Sequence, residues 1–357
     1  MAKRLIDRVP FTPGDLTDHQ HGTDDILTGV NFGTNILIGD AGGGMFDHSK
    51  GGDDTFIGGV DPAGGPNNTM YGDAVANMSE HAQGGNDTFS FPAGGSFPAG
   101  GSDNTVYGDA GGDMSDHAQG GNDTFTGGTF FSDNTFYGDA GGDMSDHARG
   151  GNDTFTGVLS TFYGDAGGNM SGHAQGGDDT FTGADGFFFV ANHFDGDAKS
   201  MSESAKGGND TLTGGNNTAP IALAPVSNIL FGDAEFMSGS AKGGDDTLFA
   251  GTTVPGGTVS NVMWGDGQLS GGAQGGKDLF VFKDNGSMTV GTNNTIEDFS
   301  QSQQDKIEFT GVAGVQSFAD LIITQSSTDT IVTAGADQVT LHNFTNSLTA
   351  NDFLIVG

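Results

Sequence analysis

Residues 104–126 read NTVYGDAGGDMSDHAQGGNDTFT, and the same string returns with two changes at 134–156 as NTFYGDAGGDMSDHARGGNDTFT. Weaker copies extend in both directions, so two fragments alternate along the chain: an N-T-x-Y-G-D-A piece and a G-G-N/D-D-T-F piece. Self-similarity at a nearly fixed period is the mark of a solenoid, in which each repeat is one supersecondary unit stacked on the next. Function is therefore a property of the repeat rather than of one cleft.

The Gly-Asp pairs end at Asp40, Asp73, Asp109, Asp139, Asp165, Asp197, Asp233 and Asp266. The second aspartates of the Gly-Gly motifs fall at Asp54, Asp87, Asp123, Asp153, Asp179, Asp210, Asp246 and Asp278, and a shortened first repeat, GTDDILTG at 22–29, adds Asp25. From each Gly-Asp aspartate to the following second aspartate the distance is 14, 14, 14, 14, 14, 13, 13 and 12 residues. The return connections run 19, 22, 16, 12, 18, 23 and 20 residues. Surface loops tolerate insertions, whereas a loop that must place ligands does not. The near-constant connection is where the chemistry is expected.

Between the connections lie short strands with alternating apolar positions, bounded by glycine pairs. One inward column is expected from Phe56, Phe89, Phe125, Phe155, Phe181, Leu212, Leu248 and Phe280. Leu37, Met70, Val106, Phe136, Phe162, Leu230 and Met263 supply the facing one. Asn35, Asn68, Asn104, Asn134, Asn192, Asn228 and Asn261 each precede their Gly-Asp aspartate by five residues, with Ser160 as the exception, and predict an amide ladder at a turn. The near-constant connection also holds His48, His81, His117, His147 and His173. Stacked imidazoles of this kind suit either plain ring packing, a shared transition metal or a proton-sensitive strip. Met45, Met78, Met114, Met144, Met170, Met201 and Met237 read as fillers of apolar space.

Composition narrows the partners. The 357 residues include 66 Gly, no Cys and only 11 Lys plus Arg, for a formal charge of -35. Nucleic acid is not an expected partner, because its affinity rests on cationic contacts to phosphate. Such a chain repels itself unless bound cations supply positive charge. Without Cys there is neither a disulfide framework nor a thiolate zinc site. The first residues, MAKRLIDRVPF, lack the apolar core of a signal peptide. No apolar run approaches the roughly 20 residues that cross a bilayer as a helix. HExxH, G-x-S-x-G and Cys nucleophiles are all absent from the sequence, so an enzyme is not expected.

At GGNDTFTG and GGNDTLTGG the chain resembles the repeats-in-toxin (hemolysin-type) family, whose nonapeptide G-G-x-G-x-D-x-U-x, U being a large apolar residue, binds calcium in a parallel β-roll. The C-terminal TIEDF, DKIEF and NDFLIVG are similar to the serralysin-like tail that carries a type I secretion signal. The chain also departs from the pattern. Aligning Tyr107-Gly108-Asp109-Ala110 with the family's x-G-G-x makes 111–120 an insertion and puts Asp109 where the family has its second Gly. Asn stands where an aspartate would line the opposite edge, so calcium is expected on one edge only.

The resulting expectation is an all-β, right-handed parallel β-solenoid of about eight to nine enlarged coils. A leader spans 1–13, calcium-binding repeats 14–278, and a C-terminal β cap with the secretion signal 279–357. All seventeen aspartates named above are candidate Ca2+ ligands; as the alternative, they merely cap glycine turns. On the order of eight ions would offset roughly half the formal charge. The functional expectation is a secreted, non-enzymatic protein passed through a type I secretion apparatus, folding on calcium outside the cell, with a structural or adhesive role at the cell surface or matrix. The alternatives are a host-interacting effector acting on membranes and a self-associating extracellular filament.

Overall fold

A computed structural model describes residues 12–30, 33–59, 67–91, 103–127, 134–157, 160–186, 190–220, 225–284, 289–290 and 293–357. Most of the expected leader falls outside these residues.

The D-T-F fragments form one parallel sheet and the N-T-x-Y fragments another. Short apolar-alternating strands leave one face of each sheet needing cover, and each sheet covers the other. Thr124–Gly127 pairs in register with Thr154–Gly157, and Asn134–Tyr137 with Ser160–Tyr163. In-register stacking puts Phe125 beside Phe89 and Phe155, and the Phe89 and Phe125 rings stack at 4.9 Å. The two predicted apolar columns are fully or almost fully buried in a single core. Phe194 belongs to the same core, at the rung where HFD replaces the usual motif. The outward threonines of the D-T-F strands are half-buried or exposed, as period-two alternation requires.

The amide ladder forms as well. Asn35 Nδ2 donates to Asn68 Oδ1 at 2.6 Å, Asn68 to Asn104 at 2.6 Å and Asn104 to Asn134 at 2.7 Å. Beyond the break at Ser160, Asn192, Asn228, Asn261 and Asn294 continue it.

The near-constant connection is more than a loop. It forms a third side to each turn, made of paired bridges that widen to strands at Ala166–Met170, Ala198–Met201 and Ala234–Met237. Alanines and methionines from successive turns, such as Ala110 and Met114, stack into a second apolar core separate from the phenylalanine core. Seven turns carry the full Ala–Met pair, which gives an all-β parallel solenoid of about seven turns, close to the eight to nine coils expected. Each connection then reverses at a left-handed residue: Asp116 has φ +58°, and Gly172 holds the equivalent place at φ +66°.

Both sheets continue past Asp278. Leu279–Lys283, Lys306–Thr310 and Phe353–Val356 extend the first; Asn293–Ile296 and Asp337–Leu341 extend the second. An antiparallel pair, Thr330–Ala334 and Ile322–Gln325, ends the second sheet. Parallel stacking thus stops at strands of opposite direction in the second sheet, whereas the first ends on the parallel strand Phe353–Val356.

Truncating a buried phenylalanine removes its transfer energy and leaves a cavity. Phe125→Ala is expected to lower stability by about 3–5 kcal/mol. Thr126→Ala, on the exposed face of the same strand, should stay within about 0.5 kcal/mol. Denaturant titration of both variants under one condition checks this, and equal losses would remove Phe125 from the core.

Candidate metal centre

The Gly-Asp aspartates follow the strands of the asparagine sheet, and the second aspartates precede those of the phenylalanine sheet. From Asp40 and Asp54 to Asp266 and Asp278 every one is buried, at 0–2 % exposure. The two columns run side by side where the two apolar cores meet. A methyl group placed on Gly108 would meet Asp123 Oδ2 at 1.9 Å and the Gly138 carbonyl oxygen of the next turn at 1.7 Å. One placed on Gly120 would meet Asp139 Oδ1 at 1.5 Å and Asp109 Oδ2 at 2.7 Å. Glycine at these positions leaves a cradle rimmed by carboxylate and carbonyl oxygens.

Each second aspartate uses one oxygen to bind the neighbouring turn. Asp123 Oδ1 accepts from the Asp87 backbone N–H at 2.6 Å, and Asp153 Oδ1 from the Asp123 N–H at 2.6 Å. Each Gly-Asp aspartate likewise accepts from the second glycine of its own turn, as Asp73 does from the Gly85 N–H at 2.9 Å. Turn capping, the alternative reading of these residues, engages both oxygens of Asp40, Asp109, Asp139 and Asp266 and one oxygen of the others. In the second-aspartate column the other oxygen is orphaned throughout: the Oδ2 atoms of Asp54, Asp87, Asp123, Asp153, Asp179, Asp210, Asp246 and Asp278 are buried with no hydrogen-bond partner. Asp73 Oδ1 and the Oδ2 atoms of Asp165, Asp197 and Asp233 share that state. Buried polar atoms are nearly always paired, and a regular line of unpaired carboxylate oxygens is a donor set that a cation or a proton would satisfy.

Electrostatics agree. Burial, followed by the charge of neighbouring aspartates, pushes Asp87, Asp109, Asp139 and Asp165 well above the usual carboxylate range. Burial takes Asp54 up to about 8, where Asp40 adds to the effect, and Asp153 to about 8. Within the Gly-Asp column, Asp73 and Asp109 lie within hydrogen-bonding reach of each other, which two carboxylates tolerate only with a proton or a cation between them.

An oxygen-only donor set of carboxylates and backbone carbonyls suits a hard cation such as calcium. Among the described residues these side chains lie in lines, without three converging on one point, so carbonyls such as that of Gly138 are needed to complete a coordination sphere. All the carboxylates occupy the edge next to the Ala–Met side, and the amide ladder occupies the other. Asp25 stands apart from the rest: it is half-buried at the first turn, and its Oδ2 accepts from the Thr23 hydroxyl at 2.9 Å.

Two column members were missed in the sequence. Asp298 accepts the backbone N–H groups of Gly265, Asp266 and Gly267 and ends the Gly-Asp column. Asp305 accepts the Asp278 N–H and extends the other. The signal was present in DKIEF, where Asp305 precedes Lys-Ile as Asp123 precedes Thr-Phe, but the glycine pair that flags the motif is missing. The histidines form the stacked ladder, with ring centroids 4.6–5.1 Å apart, and His19 opens it. These rings are exposed, and His81, His117 and His147 line a groove with Arg149.

No model of a known protein family and no curated protein sequence matches the chain.

The raised carboxylates set a direction for pH. A group whose folded pKa exceeds its unfolded value stabilises the fold below the unfolded pKa and ceases to do so as pH rises through the folded one. In chelator the chain is therefore expected to be most stable near pH 4. It should lose structure between about pH 6 and 8, the range set by Asp197 and Asp266 at about 6 and by Asp54 and Asp153 at about 8. Circular dichroism against pH checks this; stability that rises across that window would contradict it.

Proposed function

We propose that this chain is a secreted, non-enzymatic calcium-binding repeat protein that folds when it reaches calcium outside the cell. The observation that carries the reading is the line of buried carboxylate oxygens without partners, running the length of the solenoid. Asp123 and its equivalents would hold calcium through their free Oδ2 atoms, with the Gly-Asp aspartates and the Gly138-type carbonyls beside them. Bound calcium supplies the positive charge that the columns lack.

The chain's own contribution is placement. The fixed connection brings each Gly-Asp aspartate back beside its partner column, and the Ala–Met and phenylalanine cores exclude water on either side. In a low-calcium cytoplasm, repulsion within a chain of formal charge -35 opposes coiling. Ions that bind only the coiled state stabilise it by an amount that grows with the logarithm of calcium over its dissociation constant. This suits export as an unfolded chain through a type I secretion apparatus, as the resemblance of the C-terminal segment implies. Its role outside is then structural or adhesive, at the surface or in the matrix.

At pH 7.5 the far-UV circular dichroism spectrum is expected to be coil-like in EDTA and strongly β in millimolar calcium. Asp123→Asn with Asp153→Asn, which keeps the shape but removes charge at neighbouring turns, should raise the calcium midpoint at least several-fold. Identical spectra with and without calcium would sink the reading.

A further inference from the structure

The asparagine sheet carries an outward column of rings that is interrupted once. Tyr71, Tyr107, Tyr137 and Tyr163 stand in register, with ring centroids 4.9, 5.0 and 5.5 Å apart. Phe231 and Trp264 resume the column at 5.8 Å. Between Tyr163 and Phe231 the register position belongs to Asp195. This carboxylate is fully buried, and neither of its oxygens has a hydrogen-bond partner.

Two residues earlier on the same strand face stands His193, where the preceding turn has Thr161. Its Nε2 is 3.3 Å from Asp195 Oδ1 and 3.3 Å from Glu235 Oε1, yet makes no directed hydrogen bond to either. Glu235 comes from the strand Ala234–Met237 of the following turn. All three ligand atoms lie within 4.8 Å of one another, the one such convergence of His and carboxylate groups among the described residues.

An ordinary ion pair fits poorly here. One imidazolium would face two carboxylates, with Lys199 as the further cation acting on Asp195, and would leave Asp195 Oδ2 buried without a partner. A dication at the centre meets all three groups at once. The donor set of one imidazole nitrogen and two carboxylates differs from the oxygen-only columns and favours a first-row transition metal over calcium. His193 and Glu235 keep 30 % and 24 % of their side chains exposed, which opens a side to water ligands.

We propose that His193, Asp195 and Glu235 form a single site for a transition-metal dication such as Zn2+, separate from the carboxylate columns. It would tie two neighbouring turns together at the rung where Asp195 takes the place of a ring in the column and the His193 ring packs on Phe231 instead.

The test is titration of Zn2+, in competition with a chromophoric chelator, into the full chain held in saturating calcium. One tight equivalent is expected. Asp195→Tyr, which restores the ring column, and His193→Thr, which restores the residue of the preceding turn, should each weaken it by at least about tenfold. Calcium-induced circular dichroism should be unchanged in both. His117→Ala with His147→Ala, in the exposed ladder, should leave the tight equivalent in place. Equal zinc affinity in the wild type and both site variants, or loss of the equivalent only in the ladder variant, overturns the proposal. Because calcium-dependent folding is read separately in each sample, failure here is distinguishable from failure of the calcium reading.

Discussion

Parallel, in-register stacking places like on like, at a spacing of about 4.8 Å between neighbouring strands. For Phe125 and its equivalents that repetition is favourable, because rings bury one another. For Asn104 and its equivalents it is also favourable, since an amide both donates and accepts and can join an unbroken ladder. For aspartate it is not: Asp123 accepts one backbone N–H and is then left beside further carboxylates, in a place that water does not reach. The same geometry that builds the cores therefore generates an electrostatic strain along the whole axis. Relief must come from protons or from cations.

That strain explains the division of each turn. The return connections carry no shared task and vary in length. The near-constant connection has two: its Ala and Met residues form their own core, and its ends hold the two aspartates side by side. Where the connection is one residue shorter, after Asp197, a register shift between Ala166 and Asn169 absorbs the difference and keeps the Ala–Met bridges and the columns in step. The glycines at the cradle follow from the same constraint, because a side chain on Gly108 would fall on Asp123 Oδ2 and on the Gly138 carbonyl.

Where the repeat changes, the chemistry changes. The turn around His193 loses a tyrosine and gains a buried aspartate, a histidine and, from the next turn, Glu235. Replacing a ring by Asp195 gives up stacking contact and adds an unpaired buried charge, a substitution that packing alone does not reward. At the C-terminal end, Asp298 and Asp305 continue the columns without the glycine pairs, so the carboxylate lines extend into the segment whose composition looks like that of an ordinary β protein.

Much of this was legible in the chain by itself. Strand positions, the inward columns of Phe125 and Phe136, the amide ladder and the histidine stack all follow from residue spacing, because in a solenoid a sequence period is a spatial neighbour. Spacing could not say that the Gly-Asp and second-aspartate columns lie together in the interior, since that depends on how a 14-residue connection folds back, and its own Ala–Met core decides that. Nor could it pair His193 with Glu235, which stand 42 positions apart and meet only because one turn stacks on the next. The repeat determined which residues would be neighbours along the axis; the tertiary structure alone decided which were shut away from water, and burial is what turns a row of aspartates into an unmet demand for positive charge.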